Sequence, residues 1–282
     1  MKNLILIIKG FFIGLANVIP GVSGGTIALI VGLYEKLINT ISHFTKNIKE
    51  NILFILPIGI GMVLSILIAS GIIDSSYKNY PLATTLFFIG LVLGGVPFGY
   101  KKIKNKKNIS NWIIFLITFS LVITMALLSN NESFNIVSLN NLDITGYILL
   151  FLVGVIASGT MIIPGISGSL VLMLLGYYYP IINLVKELTH FENLTNNIIL
   201  ALVFGLGLIV GIIGFAKLIE LLFKKHENKT YYGVFGFITA SVIAIPLSTF
   251  LKINYILNPL ELVIGILLIV IGFIISSKLG DK

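Results

Sequence analysis

The sequence predicts an all-α polytopic membrane protein with two inverted repeats, each made of one re-entrant helical hairpin and three transmembrane helices. Three observations lead to this prediction. The chain of 282 residues is 57% hydrophobic and only 11% charged, with a mean hydropathy of +1.06. A Pro-Gly-x-Ser-Gly motif occurs twice within apolar sequence. The lysines are distributed unequally among the polar connections.

Composition excludes several classes of function. Without cysteine, disulfides, thiolate chemistry and Cys-ligated metals are excluded. The histidines, His43, His190 and His226, lie in polar connections without metal-ligand spacing, so we expect no metal and no cofactor. The net charge of +8 comes from lysine alone, which in a membrane protein indicates cytoplasmic loops and not nucleic-acid binding. The apolar run from Leu4 lacks a cleavage site, so we expect no cleavable signal.

The first predicted repeat, residues 1–140, begins with an interrupted apolar stretch. This stretch, residues 4–39, contains Pro20, and because lipid cannot satisfy the backbone groups at such a break, the break must be enclosed by protein or line a polar cavity. The lysine distribution described below predicts that the stretch is a re-entrant hairpin and does not cross the membrane. Each uninterrupted stretch that follows has about the 17 to 25 residues needed to cross ~30 Å of hydrocarbon. These predicted spans are residues 52–72, 84–100 and 111–129.

The second predicted repeat, residues 141–282, has the same order. Its re-entrant segment is residues 148–183, and its predicted spans are residues 197–222, 231–250 and 258–277. The motif around Pro20 returns 144 residues later around Pro164. Tyr34 and Tyr178 match at the same spacing, and both are predicted to be interfacial anchors.

The lysines predict the topology. If each hairpin enters and leaves on one side, fourteen lysines lie on one face and only Lys78, Lys186 and Lys252 lie on the other. We expect the lysine-rich face, and both termini, to be cytoplasmic. Because each half has three spans, an odd number, the second half is inverted relative to the first. The lysines of the rich face are Lys2, Lys9, Lys46, Lys49, Lys101, Lys102, Lys104, Lys106, Lys107, Lys224, Lys225, Lys229, Lys278 and Lys282.

The two motifs are predicted to form an anion site near the membrane midplane. Proline and glycine permit a tight turn and close backbone approach to a ligand. Ser23 and Ser167 occupy the N-cap positions of the helices that follow, where free N–H groups and the helix dipole favour an anion. Alternatively, the small residues only permit close helix packing. The candidate phosphate-binding residues are Pro20, Gly21, Ser23, Gly24, Gly25, Thr26, Pro164, Gly165, Ser167, Gly168 and Ser169.

These residues resemble a known family, the bacterial polyprenyl-phosphate transporters. The likeness rests on Gly14-x-Ala16-Asn17-Val18-Ile19-Pro20-Gly21-Val22-Ser23-Gly24-Gly25-Thr26 and on Met161-Ile162-Ile163-Pro164-Gly165-Ile166-Ser167-Gly168-Ser169. The resemblance implies that the protein flips undecaprenyl phosphate from the outer to the cytoplasmic leaflet of the bacterial cytoplasmic (inner) membrane. That lipid carries cell-wall precursors and is recycled in this way. One departure is Asn17, where we expect the family often to carry Asp.

Three residues outside the motif cores are candidates for head-group contact or coupling. Asn17 is the departure just described. Glu35 could carry a coupling proton, although interface capping is an equal alternative. Lys217 could supply a cation to the head group, and its alternative is snorkelling with a local pair to Glu220.

Two other functions compete with lipid transport. A membrane polyprenyl-pyrophosphate phosphatase would need a general acid or base and usually a cationic clamp. Neither motif contains such a residue and the chain has no arginine, so we expect a transporter without catalytic residues. A carrier of small soluble anions remains the second alternative. The expected partners are polyprenyl phosphate and membrane lipid, not nucleic acid, and homo-oligomerisation is left open.

Overall fold

The chain is all-helical in the computed structural model, which describes residues 2–18, 22–104, 108–128, 137–140, 142–191, 193–250 and 258–280. These residues form eleven helices and no strand. In chain order the helices are α1 Lys2–Val18, α2 Gly24–Ile30, α3 Tyr34–Ser42, α4 Ile48–Asn79, α5 Pro81–Lys102, α6 Ile109–Leu128, α7 Ile144–Ile162, α8 Gly168–Leu174, α9 Tyr178–Thr189, α10 Leu194–Phe250 and α11 Pro259–Gly280. Within the described ranges, six helices are long and apolar enough to cross a membrane, namely α4, α5, α6, α7, α10 and α11. The all-α polytopic class is therefore confirmed.

All six predicted spans fall on helices. Residues 52–72 lie in α4, 84–100 in α5, 111–128 in α6 and 259–277 in α11. The spans 197–222 and 231–250 both lie within α10, which consists of two helices that meet at a kink at His226 (φ −139°, ψ 47°). The two spans are therefore separate helices, as predicted, but a kink joins them where the sequence predicted a polar connection.

Each predicted hairpin consists of three helices, where the sequence predicted two arms. The second arm is interrupted after only seven residues, at the end of α2 and of α8. The same hydrogen bond closes both turns, from Leu33 N to Ala28 O at 2.8 Å and from Tyr177 N to Leu172 O at 2.9 Å. The axes of α8 and α9 are bent by 110°. Glycines with positive φ permit these turns: Gly32 (φ 71°) and Gly176 (φ 77°).

In each half, glycines bring the first helix of the predicted hairpin against the first long helix that follows the hairpin. Along α1, Gly10 lies against Ile58 of α4 and Gly14 lies against Met62. The residue numbers increase together, so α1 and α4 are parallel. The chain between them therefore returns to the end from which α1 started.

The second half repeats this arrangement. Gly207 of α10 lies against Phe151 of α7, and Gly211 lies against Val155, so the first part of α10 runs parallel to α7. A Cβ at any of these glycines would overlap backbone atoms of the neighbouring helix. Glycine at such contacts allows backbones to approach closely in the absence of a hydrophobic driving force.

The remaining long helices pair across the two halves. Helix α5 packs along α11, with Gly90 against Ile269 and Gly94 against Phe273. Helix α6 packs along the second part of α10, where Gly236 lies against Phe115. The second span of each half thus packs on the third span of the other half.

Side-chain contacts identify two ends of the molecule. At the first end, Lys102 Nζ lies 3.0 Å from Glu35 Oε1 and Lys104 Nζ lies 3.4 Å from Glu227 Oε2. We call this the lysine end. Helix α4 begins here, since Asn51 Nδ2 donates to the His43 carbonyl (3.1 Å), and the first part of α10 reaches the same end. Helix α4 and the first part of α10 therefore run in opposite directions.

At the opposite end, a carboxylate caps a helix of the other half. Glu261 Oε1, at the start of α11, accepts hydrogen bonds from Leu82 N (2.8 Å) and Ala83 N (3.1 Å) at the start of α5. A carboxylate satisfies unpaired N–H groups at a helix N-terminus and is stabilised by the helix dipole. Here also Asn197 Nδ2 donates to Glu187 Oε2 at 2.8 Å, which joins α10 to α9.

Candidate functional site

The two motifs lie in direct contact. Thr26 Oγ1, in the first turn of α2, accepts a hydrogen bond from Gly165 N at 2.6 Å. Ser23 Oγ, at the start of the same helix, donates to Ile163 O at 3.3 Å. The structure therefore brings together two segments that are about 140 residues apart in sequence, as the sequence predicted. Pro20 and Gly21 lie outside the described residues.

Backbone approach between the motifs requires two glycines. A Cβ at Gly25 would lie 2.9 Å from Ile162 O and 3.3 Å from Pro164 N. Gly165 has φ 86° and lies against the backbone of Phe237 in α10. Neither position has room for a larger residue, so these glycines allow the motifs to pack on each other.

Ser23 and Ser167 occupy the N-cap positions of α2 and α8, as predicted, but neither makes a side-chain capping bond. Ser23 donates to the other motif, and Ser167 Oγ lies 2.8 Å from Ser169 Oγ. These hydroxyl groups therefore do not cap their own helices. The Ser23 hydroxyl connects the two motifs, and the Ser167 hydroxyl contacts the first turn of its own helix, α8.

A cavity of about 630 Å³ reaches the motifs from the side of the lysine end. Aliphatic side chains of α1, α3, α4 and α10 form its walls. Its lining residues also include the polar residues Asn17 and Lys217 and the motif glycines Gly24 and Gly25. Of the three candidates outside the motif cores, Asn17 and Lys217 therefore line the same cavity as the first motif. Glu220, the expected local partner of Lys217, instead pairs with Lys224 and His43.

A smaller cavity of about 190 Å³ reaches the motifs from the side of α9. Its polar lining includes the hydroxyl-bearing residues Ser23, Ser167 and Ser169. Asn17 and Met161 line both this cavity and the larger one, so they form part of the wall between the two.

In each motif, the wall between the two cavities consists of a side chain packed over a glycine. Asn17 packs over Gly24, and a Cβ at Gly24 would lie 2.9 Å from the Asn17 amide nitrogen. Met161 packs over Gly168, where a Cβ would lie 2.6 Å from Met161 Cγ. The motif glycines thus make room for a side chain that separates the two cavities.

Glu35 is not on the motif cavity. Its Oε1 accepts from Tyr231 Oη at 2.5 Å and from Lys102 Nζ at 3.0 Å, on a separate cavity of about 440 Å³. Partial burial raises the pKa of the Glu35 carboxyl, but the Tyr231 and Lys102 hydrogen bonds and the Lys102 charge outweigh it, leaving the pKa below its ordinary value. Glu35 therefore joins α3 to α5 and α10.

Sequence reasoning missed the role of Lys9. This lysine is only 7% exposed, and its Nζ donates to the carbonyl of Val31 at 2.6 Å. Val31 is the C-cap of α2, so an ammonium group satisfies a carbonyl at the negative end of that helix. The sequence contains one signal of this role, a lysine inside an apolar helix, whereas the topology prediction groups Lys9 with the loop lysines.

Tyr34 was also misassigned. It is 4% exposed and packs edge-on against Phe223, with ring centroids 6.3 Å apart. The prediction of an interfacial anchor is therefore wrong for Tyr34, because it is enclosed by protein. Tyr178, its counterpart in the second half, is half-buried and lines the 190 Å³ cavity.

Comparison with known proteins identifies the family. A family model described as undecaprenyl phosphate translocase-like matches residues 13–255. A Staphylococcus aureus protein named polyprenyl-phosphate transporter is 32% identical over 278 residues, which cover 97% of this chain and 95% of the relative. A Vibrio cholerae protein of the same name is 30% identical over 245 residues, 82% of this chain and 73% of the relative. No solved structure matches the chain. These names are those of transporters and not of enzymes, and the chain belongs to the undecaprenyl phosphate translocase-like family.

Proposed function

We propose that the protein transports polyprenyl phosphate and returns undecaprenyl phosphate from the outer to the cytoplasmic leaflet of the bacterial cytoplasmic membrane. The 630 Å³ cavity is the observation that carries this proposal. It combines aliphatic walls with Asn17, Lys217 and two motif glycines. A lipid phosphate has the matching chemistry, an apolar tail and a head of roughly −1.5 to −2 charge by analogy with phosphate monoesters. Such a head crosses bare hydrocarbon only at high cost, so it needs a polar site.

The helix arrangement supports a lipid as the substrate rather than a small soluble anion. Helices α4 and α10 line different sides of the 630 Å³ cavity but do not pack extensively on each other. A prenyl tail could extend between them into the bilayer while its phosphate remains near the motifs. A carrier of small anions has no need for an apolar cavity of this kind.

The directions of the helices support re-entrant hairpins in inverted repeats. Because α1 and α4 are parallel, the segment between them returns to the lysine end, as a re-entrant segment does. The segment between α7 and α10 returns to the opposite end in the same way. Residues 1–140 and 141–282 would then be the two repeats, with α1 to α3 entering from one leaflet and α7 to α9 from the other.

The two motif cavities support alternating access. One lies on the side of the lysine end and the other on the side of α9, with Asn17 and Met161 between them. In this proposal the phosphate binds to the Ser23–Thr26 and Pro164–Ser169 segments and moves past Asn17 and Met161. The lysine end is cytoplasmic, as the lysine distribution predicts, and so are both termini. Lys217 contacts the head group on the cytoplasmic side.

A competition experiment tests this function. Purified protein in detergent is loaded with labelled undecaprenyl phosphate, and a shorter polyprenyl phosphate, the corresponding polyprenol and inorganic phosphate are added separately. The shorter polyprenyl phosphate should displace the label. The polyprenol should not displace the label, because it lacks the phosphate charge. Inorganic phosphate should displace the label only weakly, because it has no prenyl tail to contact the aliphatic walls. Equal displacement by polyprenol and polyprenyl phosphate would exclude a phosphate-binding site.

Lys217→Met tests the cation in the same assay. The substitution keeps the bulk and removes the charge. If Lys217 contacts the phosphate, the polyprenyl phosphate should compete less well in the variant. Unchanged competition would show that Lys217 only extends towards the membrane surface.

A further inference from the structure

Tyr34 has a buried hydroxyl group that no part of the described structure explains. The residue is 4% exposed, and its Oη has no hydrogen-bond partner among the described residues. Buried polar groups in native proteins are nearly always paired, and an unpaired one destabilises the fold. An unpaired hydroxyl beside a cavity is therefore a candidate contact for a ligand.

Tyr34 lies where three cavities adjoin. It lines the 630 Å³ motif cavity, the 440 Å³ cavity that contains Glu35, and a third cavity of about 370 Å³ bounded by Pro164 and Lys229. Its position is fixed because α3 begins directly after the Gly32 turn and its ring packs on Phe223. Residue Tyr34 thus borders the motif cavity and both neighbours, and its hydroxyl oxygen is closed off from solvent in this state.

The 440 Å³ cavity suits an anion. Lys36 and Lys102 line it at the lysine end, and the single carboxylate of its described lining, Glu35, already accepts from Lys102 and Tyr231. Lys36 Nζ lies 4.3 Å from the centre of the Phe54 ring, so a cation–π contact connects this lysine to α4. Burial raises the pKa of the Tyr34 phenol, so the group remains a protonated donor at neutral pH.

We propose that the Tyr34 hydroxyl donates a hydrogen bond to the phosphate of a lipid phosphate monoester, and that the 440 Å³ cavity is a second head-group site. This inference rests on the proposed transport function and adds a second phosphate-binding site at the lysine end of the transport path. The phosphate reaches it from the motif cavity by passing Tyr34. Lys36 and Lys102 then hold the phosphate before it leaves the protein.

The chain contains a matched control in Tyr232. This tyrosine is fully buried, and its hydroxyl also lacks a partner among the described residues. It packs against Trp112, with ring centroids 5.1 Å apart, and lines none of the three cavities that Tyr34 lines. Tyr34→Phe and Tyr232→Phe each remove one buried, unpaired hydroxyl, but only the first removes it from the proposed path.

The experiment measures two quantities for both variants: the affinity for a shorter polyprenyl phosphate, by competition, and the midpoint of thermal unfolding without ligand. Tyr34→Phe should lower the affinity about 10- to 100-fold, the range for a lost hydrogen bond to a charged group. Its unfolding midpoint should stay the same or rise, because no hydrogen bond is lost in the free protein. Tyr232→Phe should leave the affinity unchanged. Phosphatidylglycerol, a phosphate diester, should compete poorly with both variants and with the unmodified protein.

Several results would overturn the inference. Equal affinity of Tyr34→Phe and the unmodified protein would do so, as would an equal loss in Tyr232→Phe. A marked fall in the unfolding midpoint of Tyr34→Phe would show that the hydroxyl does have a partner in the free protein. Lys36→Met tests the second site independently and should also weaken binding, and unchanged binding would remove that site. If the unmodified protein does not bind the lipid phosphate, the proposed function fails and this inference fails with it.

Discussion

The two motif segments, residues 2–42 and 144–189, share a backbone and differ in chemistry. Each has a long helix, a helix of seven residues, a glycine turn with positive φ and a third helix. Three polar residues of the first segment have apolar or neutral counterparts 144 residues later. The pairs are Lys9 and Val153, Asn17 and Met161, and Glu35 and Tyr179. Of the three polar residues only Asn17 lines the two motif cavities, whereas Lys9 and Glu35 make their contacts elsewhere.

The surroundings of the two segments differ in the same way. Every residue of α2 is buried, and that helix contacts α5, α7 and α11 in addition to its own segment. In α8 only Gly168, Val171 and Leu172 are buried. Helix α2 therefore lies in the interior of the protein, where a polar side chain such as Thr26 needs a partner or a ligand. Asn17 and Glu35, in the helices on either side of α2, are exposed, so this interior position is a property of α2 and not of the whole first segment.

A substitution that disturbs the backbone shared by the two segments is expected to have the largest effect on transport. Gly165→Ala introduces a Cβ at φ 86°, where it would also overlap the Phe237 backbone. The left-handed conformation alone costs about 1–2 kcal/mol for a residue with a side chain. The Gly165 N to Thr26 contact should be lost as the motifs move apart, and transport should fall to background in reconstituted vesicles.

Gly214→Ala is the matched control for that change. A Cβ at this glycine of α10 meets no other atom within 4 Å, so transport and stability should be close to normal. If Gly165→Ala transported as well as Gly214→Ala, the close packing of the motifs would not matter for function.

Replacing Lys9, whose counterpart in the second segment is Val153, is expected to have a smaller effect, and on stability. Lys9→Met makes the first segment resemble the second and leaves the Val31 carbonyl without its ammonium donor. An unpaired buried carbonyl costs about 1–3 kcal/mol, so the unfolding midpoint should fall. Lys46→Met, at an exposed lysine, should not lower the midpoint. Equal midpoints for the two variants would mean that the Val31 carbonyl finds another partner.

The difference at Glu35 gives the smallest effect, because this side chain is 57% exposed. Its folded-state pKa lies below the ordinary value of 4.5, so its ion pair stabilises the protein above that pH and is lost as the pH falls through the lowered pKa. Glu35→Gln should therefore lower the unfolding midpoint at pH 7 and have progressively less effect as the pH falls below about 4.5. A difference between the two proteins that did not change with pH would contradict this ion pair.

The sequence predicted the helical class, the positions of the spans and the meeting of the two motifs. These features follow from hydropathy and from the repeat, both of which are local or periodic signals. The interruption after α2 was missed, although Gly32 and Gly176 lay at matching positions, because glycine within an apolar run is also common in packed membrane helices. The sequence predicted the separation of two helices near His226, but it predicted a polar connection there, because a kink between two helices and a loop can have the same lysine-rich sequence.

The contacts of single side chains were beyond the sequence. Ser23 and Ser167 were placed correctly as N-cap residues, but their hydroxyl partners depend on how the two motifs pack. Lys9 and Tyr34 have roles set by helices that are distant in sequence, namely the C-terminus of α2 and the cavities beside α10. Tertiary partners of this kind leave no periodic signal, so only the structure identifies them.

Translocation of the head group tests the central claim most directly. Labelled undecaprenyl phosphate is placed in one leaflet of proteoliposomes, and the appearance of its phosphate in the other leaflet is followed, with and without a pH gradient. The account predicts rapid appearance with the unmodified protein and with Gly214→Ala, and a background rate with Gly165→Ala and with protein-free vesicles. The same slow rate in all four preparations, with the protein correctly inserted, would contradict transport of the lipid phosphate past the paired motifs.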